Sequence, residues 1–293
     1  MTTCRTMIVL VAALLAASAD ASDLSEAVRT GSARDVNRLL RDGADPRIND
    51  QNQDAPLHWA AYTGSVEFVT ALLVRGADVN ARNQHAATPL HIAAEQGRVE
   101  VAAVLLERGA DADARNVNQA TPLFFAVGAG RSDVAQLLLK RGAQVDARNK
   151  YDATPLHIAA EQGRADVLKL LLEKGAAVNA RNQGAATPLH IAVEQGRGEI
   201  VRLLIAKGAD VDAKNTGGLS PRQMAADAEE PGIVELLRAD GGDVRIEVAQ
   251  PAPQSLQGDD AGCHCRIAMN GASTRNGWLL VIAVIGLFIL RCR

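Results

Sequence analysis

The chain has 293 residues, of which 47% are hydrophobic but only 3% aromatic. A core of that composition is built from Ala, Leu, Val and Ile, which suits many thin, similar layers better than one thick globular centre. The formal net charge of −3 gives no basis for wholesale nucleic-acid binding, and with no cysteine between Cys4 and Cys263 the main body owes nothing to disulfides or cysteine-bound zinc.

Residues 1–21, MTTCRTMIVLVAALLAASADA, have the layout of a secretory signal peptide. Arg5 supplies the positive start, Met7 to Ala17 is an unbroken apolar run, and Ala17-Ser18-Ala19 is a small-x-small site. The expected cleavage lies between Ala19 and Asp20, with Ala19-Asp20-Ala21 as a second site. A bilayer span needs roughly 20 apolar residues, so this run is too short to be an anchor. Export through the inner membrane follows in a bacterial host.

A strict repeat occupies the middle. The segments Ala55-Pro-Leu-His-Trp-Ala-Ala61, Thr88-Pro-Leu-His-Ile-Ala-Ala94, Thr121-Pro-Leu-Phe-Phe-Ala-Val127, Thr154-Pro-Leu-His-Ile-Ala-Ala160, Thr187-Pro-Leu-His-Ile-Ala-Val193 and Ser220-Pro-Arg-Gln-Met-Ala-Ala226 start 33 residues apart, without insertion. Within 88–120, Thr88 and Pro89 open a short apolar helix through the N-cap and first helical positions. Gly97 ends that helix. Val101, Val104, Leu105 and Leu106 recur at helical spacing in a second helix that Gly109 stops. Ala110 to Ala120 run out and back as an extended turn. Neither helix is long enough to stand alone, so stability is a sum over neighbours.

The period and the Thr-Pro-Leu-His-x-Ala start resemble the ankyrin repeat over residues 22–248. The resemblance implies an all-α ankyrin-repeat solenoid, with helix-turn-helix plus extended turn in each 33-residue unit. The divisions are an N-terminal cap at 22–54, repeats at 55–87, 88–120, 121–153, 154–186 and 187–219, and a C-terminal cap at 220–248. In the last unit Arg222 and Gln223 replace Leu and His, as a polar outer face requires. Pro231 opens its second helix and Gly241 closes it.

Residues 249–261, rich in Pro, Gln and Asp, form a linker. The tail at 262–293 holds Cys263 and Cys265, an apolar helix at 277–290 and terminal Arg291 and Arg293. The 15 residues between Arg275 and Arg291 make about 22 Å of helix, short of a roughly 30 Å hydrocarbon core. The tail resembles bacterial C-terminal sorting signals of the Cys-containing, myxosortase-recognised kind. That resemblance implies removal of the helix by a sorting protease and a retained, lipid-modified Cys region. An ordinary single-pass anchor is the alternative. Cys292, between the two Arg residues, departs from the family's uninterrupted basic cluster.

His58, His91, His157 and His190 recur at one point of the repeat. Stacked helices lie about 8–10 Å apart, whereas two ligands each sit about 2 Å from one zinc. The expectation is therefore backbone hydrogen bonding that ties repeats together, with no metal and no cofactor. His85 lies at a turn tip, where exposure is expected. No nucleophile triad, carboxylate pair or phosphate loop rises above the repeat background.

The ankyrin resemblance implies a cupped stack that meets partners on its turn tips and the exposed face of its first helices. Those positions are Tyr62, Glu95, Gln96, Gly128, Ala129, Glu161, Gln162, Glu194 and Gln195 on the helices, and Val117, Asn118, Lys150 and Tyr151 on the tips. Glu95, Glu161 and Glu194 make an acidic ladder. Arg82, Arg115, Arg148, Arg181 and Lys214 make a basic one. Positions that break the repeat are the better candidates for specific contact. Phe124-Phe125 and Gly128-Ala129 give repeat 121–153 a less charged notch, whereas Trp59 reads as core. Ankyrin turns usually carry Gly two residues before the Thr. Here Gln53, Ala86, Gln119, Asp152, Ala185 and Gly218 stand there, so the tips are expected to depart from the usual conformation.

Together these features predict a non-catalytic protein–protein interaction scaffold, exported and held at the membrane or cell surface by its C-terminus. The alternative is a dedicated inhibitor or immunity-type protein masking one extracytoplasmic enzyme.

Overall fold

A computed structural model describes residues 23–228 and 231–238. All of them fall in one compact unit, Met1–Ile246; a second unit, Glu247–Arg293, lies outside the described residues. The signal peptide with Ala19 and Asp20, Gly241, the linker, Cys263, Cys265 and the apolar segment 277–290 also lie outside them.

The described residues contain fourteen helices and no strand. Helix α1 (23–30) and α2 (Ala33–Asp42) form the N-terminal cap. Five repeats follow: α3 (Pro56–Thr63) with α4 (Val66–Val74), α5 (Pro89–Gln96) with α6 (Val99–Glu107), α7 (Pro122–Gly128) with α8 (Ser132–Lys140), α9 (Pro155–Gln162) with α10 (Ala165–Glu173), and α11 (Pro188–Glu194) with α12 (Gly198–Ala206). Helices α13 (Pro221–Asp227) and α14 (Pro231–Arg238) complete the described stack. First helices pack on first helices and second helices on second helices, giving two layers.

Columns of identical residues fill the space between the layers. Leu57, Leu90, Leu123, Leu156 and Leu189 are fully buried, as are Leu72, Leu105, Leu138, Leu171 and Leu204. Between them runs an alanine column, Ala60, Ala93, Ala126, Ala159, Ala192 and Ala225, each at 0% exposure. A methyl group at that position lets successive first helices approach closely. Proline at each first-helix start removes an N–H that would have no partner there.

Four sets of hydrogen bonds hold the stack, three of them across the repeat boundaries. The histidines form the deepest. His91 Nδ1 accepts from Thr88 N–H at 3.0 Å, and its Nε2–H donates at 3.1 Å to the carbonyl of Ala120, the last residue of its own repeat, tying the first helix to the turn that leads into the next. His58, His157 and His190 make the same pair of bonds, reaching Ala87, Ala186 and Leu219. The expectation of a structural imidazole therefore matches the geometry. Each ring is held as the Nε2–H tautomer by the bond to its other nitrogen.

A second set comes from arginines. Arg98 Nε donates to Tyr62 O, Arg131 Nε to Glu95 O and Arg164 Nε to Gly128 O, each from one repeat back to the previous first helix. The Gly caps of those helices make room for this. A Cβ at Gly64 or Gly97 would lie 2.8 Å from the Arg98 or Arg131 side chain.

The third set is the basic ladder beside the tips. Arg82 donates to Arg115 O at 2.7 Å, Arg115 to Arg148 O, Arg148 to Arg181 O, and Arg181 to Lys214 O. The fourth joins the tips themselves through Val117 N–H to His85 O, Lys150 N–H to Asn118 O, Gln183 N–H to Tyr151 O and Thr216 N–H to Gly184 O. His85, expected to be exposed, is half-buried as a result of this tip-to-tip packing.

The tips keep the left-handed conformation without the glycines. Gln53, Ala86, Gln119, Asp152 and Ala185 have φ between 53° and 61°, and Gly218 has φ 75°. The expectation of altered tips is corrected by these angles. An asparagine at the start of each tip, replaced by Asp50 in the first, enforces the turn. Asn83 Oδ1 accepts from both His85 N–H and Ala87 N–H, while Ala86 N–H donates to Asn83 O. Held from both sides and by the neighbouring tip, the residue accepts a strain of about 1–2 kcal/mol.

Three other expectations change. Trp59 is half-exposed rather than core, because its indole N–H donates to Asp50 Oδ2 at 2.8 Å and keeps the ring at the edge of the stack. Arg222 is not a solvent-facing polar substitute. It is mostly covered and pairs with Asp212 at 3.2 Å, bracing the last tip. Gln223 replaces the histidine in function, since its Oε1 accepts from Ser220 N–H at 3.0 Å.

The packing predicts that Leu105→Ala lowers stability by about 2–5 kcal/mol, read from urea unfolding. Ala86→Gly and Ala185→Gly should each raise it by about 0.5–1 kcal/mol, additively because the sites are far apart. A loss in either glycine variant would contradict the strain at the tips.

The histidines also set a pH dependence. Burial pushes His91 and His157 down to about 4 from the ordinary 6.5, and lowers His58 and His190 as well. A depressed folded value means the unfolded chain binds more protons. The stabilisation is therefore complete above pH 6.5 and is lost as the pH falls from 6.5 toward 4, by about 2 kcal/mol for each of His91 and His157 at pH 5. The raised carboxyls of Glu95, Glu161 and Glu194 act with the opposite sign and offset part of this loss at the acid end. Replacing both histidines by glutamine, the residue already found at 223, should flatten the fall in urea midpoint between pH 7 and pH 5. An unchanged slope would contradict the assignment.

Candidate protein-binding face

Tyr62, Glu95, Gly128, Glu161 and Glu194 occupy one position of the repeat, near the C-terminal ends of α3, α5, α7, α9 and α11. Because the first helices stack consecutively, these residues form one row, with Gln96, Ala129, Gln162 and Gln195 beside it. Tyr62 meets Trp59 edge-on, with centroids 6.2 Å apart, at the N-terminal end of the row.

Exposure along the row is uneven. Tyr62, Glu95, Gln96, Gly128, Ala129 and Gln162 are half-buried, and Glu194 and Gln195 are exposed. Glu161 departs from the expected exposed face, being only 7% accessible.

Burial raises the carboxyls of Glu95, Glu161 and Glu194, and Glu194 raises Glu161 further by charge repulsion. Gln96 and Arg131 partly counter the rise at Glu95. Among the described residues none of the three forms an ion pair.

The notch in repeat 121–153 has a cost at its other end. Phe124 stands where the neighbouring repeats have the bridging histidine. Thr121 Oγ1 is consequently buried with no hydrogen-bond partner among the described residues. Phe124 is buried, while Phe125 is half-buried and meets His91 edge-on, with centroids 5.2 Å apart. Helix α7 ends at Gly128, and the left-handed turn follows at Gly130.

The tip candidates form a second patch. Val117 is 58% exposed. Lys150 donates to Asn118 Oδ1 and lies 5.0 Å from the Tyr151 ring centroid, a cation–π distance. Tyr151 and Asn118 are half-buried. The tips precede the first helices and the Glu row ends them, so the two patches are a helix length apart, about 11 Å. Gly128-Ala129 and Lys150-Tyr151 thus do not make a single pocket.

Sequence reading missed two roles. The arginines at 98, 131 and 164 tie repeats together by reaching back over the glycine caps, and the recurring Gly-Arg pairs 97–98, 130–131 and 163–164 were the available signal. The Arg82-to-Lys214 ladder reads as a charged surface in sequence, yet its guanidinium groups bond backbone carbonyls. Among the described residues no group of three His, Cys, Asp or Glu could hold a metal ion, and no helix is long and apolar enough to cross a membrane.

Glu161→Gln removes the charge from a mostly covered side chain that forms no ion pair among the described residues, without changing shape. It should raise stability at pH 7 by about 1 kcal/mol, read from the urea midpoint, and the gain should shrink as the pH falls through the raised carboxyl value. A loss of stability at pH 7 would show that the carboxylate has a structural partner.

Comparison with known proteins agrees with this architecture. The family described as ankyrin repeats (3 copies) matches residues 24–116 and 110–182, and ankyrin repeats (many copies) matches 171–225. The solved ankyrin repeat domain of Bcl-3, described as a unique member of the IkappaB protein family, is 32% identical with a TM-score of 0.65, covering 74% of this chain and 97% of that one. The human ASB11 ankyrin repeat domain is 33% identical with a TM-score of 0.69, covering 75% and 98% respectively. Comparison with curated proteins gives no match. Such folds typically serve as non-enzymatic modules for protein–protein interaction. Family matches running from residue 24 to 225, over a stack that keeps its 33-residue register at every boundary, show that the chain belongs to the ankyrin repeat family.

Proposed function

We propose that this chain is a non-catalytic protein-binding scaffold, exported and held at the membrane or cell surface by its C-terminus. The observation that carries the binding role is the row along the first-helix ends. There the stack presents carboxylates that form no ion pair among the described residues, and one repeat departs from its neighbours at Gly128 and Ala129. Side chains that serve the stack, such as the histidines and both arginine ladders, are bonded to backbone. Among the described residues Glu161 and Glu194 make no such bonds.

The address rests on the sequence at the two ends: the signal-peptide layout of residues 1–21, and the Cys263-His-Cys265, apolar segment and terminal arginines of 262–293. A sorting protease would remove the apolar segment and leave a lipid-modified cysteine region.

Surface biotinylation of intact cells, followed by mass spectrometry of the mature protein, tests the address. Labelling before lysis and a C-terminus ending near residues 262–265 are expected. Labelling only after lysis would contradict export, and an intact Arg293 would favour a permanent anchor. For binding, Gly128→Glu with Tyr151→Ala should sharply reduce recovery of partner protein in a pull-down. Unchanged recovery would remove both patches from the interface.

A further inference from the structure

Helix α7 lies in the middle of the stack, with α1, α3 and α5 before it and α9, α11 and α13 after it. Where stability is a sum over neighbours, the middle unit is supported on both sides and position alone makes it the last to open. Three features of α7 work against that order.

The first is at its start. In five first helices the side chain at the third helical position accepts the N–H of the residue before the helix: His58 from Ala55, His91 from Thr88, His157 from Thr154, His190 from Thr187 and Gln223 from Ser220. Phe124 stands there in α7 and has no acceptor to offer. The Thr88, Thr154 and Thr187 hydroxyls also bond their imidazoles, whereas Thr121 Oγ1 is buried and unpartnered among the described residues. An orphaned buried polar group and a lost helix cap each weaken the helix. The Phe124 ring adds apolar contact and satisfies none of these groups.

The second feature is at the other end. Gly128 stands inside the helix where α5, α9 and α11 carry Glu95, Glu161 and Glu194. Glycine is a poor helix former compared with alanine. Nothing in the packing calls for it, since a Cβ there would meet only Ile158 Cγ2, at an ordinary 3.6 Å. The third feature is the tie from the next repeat. Arg164 Nε lies 3.4 Å from Gly128 O, against 3.2 Å from Arg98 to Tyr62 O and 3.1 Å from Arg131 to Glu95 O. Such a bond is weak at that length.

We propose that α7 is an opening point built into the centre of the stack: residues 121–130 leave and regain their helical packing while α5 and α9 stay folded. The neighbours can hold because their histidines tie each first helix within its own repeat, His91 to Ala120 O and His157 to Ala186 O. Gly128 and Ala129 move with α7, so the notch is carried by the least fixed helix of the row. A partner seated on the notch would hold α7 closed, which couples binding to local order. That use rests on the scaffold reading above, whereas the opening itself does not.

Native-state hydrogen exchange of the purified full-length protein, without any partner, tests the opening. Protection factors at 125–129 are expected to fall at least about tenfold below those at 92–96 and 158–162, the size of effect that one unsatisfied buried group produces. Gly128→Ala should raise protection in α7 about fivefold. Phe124→His, which restores the acceptor, should bring α7 close to α5. The alanine variant adds one methyl group in open space, so it reads the device even where the histidine fails to pack. Protection at 125–129 equal to or above that of α5 and α9 would overturn the opening point. So would low protection that neither substitution raises. The measurement involves no partner, so its failure leaves the scaffold reading standing, and a failed pull-down leaves the opening point standing.

Discussion

The stack depends on the constant 33-residue register that lets each repeat complete its neighbour's hydrogen bonds. A single unit has two helices of 7–9 residues, too short to persist alone, and a polar turn with backbone groups to satisfy. The histidine ties each first helix to the end of its own turn in the buried layer, and arginines and tip amides span the boundary nearer the surface. One inserted residue would displace all of these bonds together. The burial of identical leucine and alanine columns follows from the same register.

Repeat 121–153 shows what a departure from the pattern does. Phe124 fills the core but bridges nothing, and Thr121 Oγ1 is left without a partner. At the other end of the same helix, Gly128 removes a carboxylate from the row that Glu95, Glu161 and Glu194 otherwise continue. A lost tie and a lost charge in one helix are hard to explain as stabilising choices. They are understandable if the surface there is shaped for something outside the chain.

Much of this was legible in the sequence. The Thr-Pro-Leu-His spacing gave helix starts, glycines gave helix stops, and separation arguments gave the histidines a structural role. The tips were misjudged because the sequence shows the missing glycine but not the asparagine bonds that hold Ala86 and Gln119 at positive φ. In sequence the basic ladder shows only as a row of charges, because a guanidinium bonded to a carbonyl in the next repeat has no signature beyond its period. Burial of Glu161 could not be read either. Glu95, Glu161 and Glu194 share a local motif, and only packing between neighbouring helices separates them. Trp59 reads as core because it stands at the Ile position of the helix pattern, whereas Asp50 draws its N–H to the edge.

The central claim is that partners meet the first-helix ends around repeats 121–153 and 154–186. Hydrogen–deuterium exchange of the free protein and of its complex with a recovered partner tests this most directly. The account predicts added protection at 125–130 and 158–163, falling off along the row, with α6, α8 and α10 unchanged. Protection confined to α6, α8 and α10, with the first-helix ends unaffected, would contradict it.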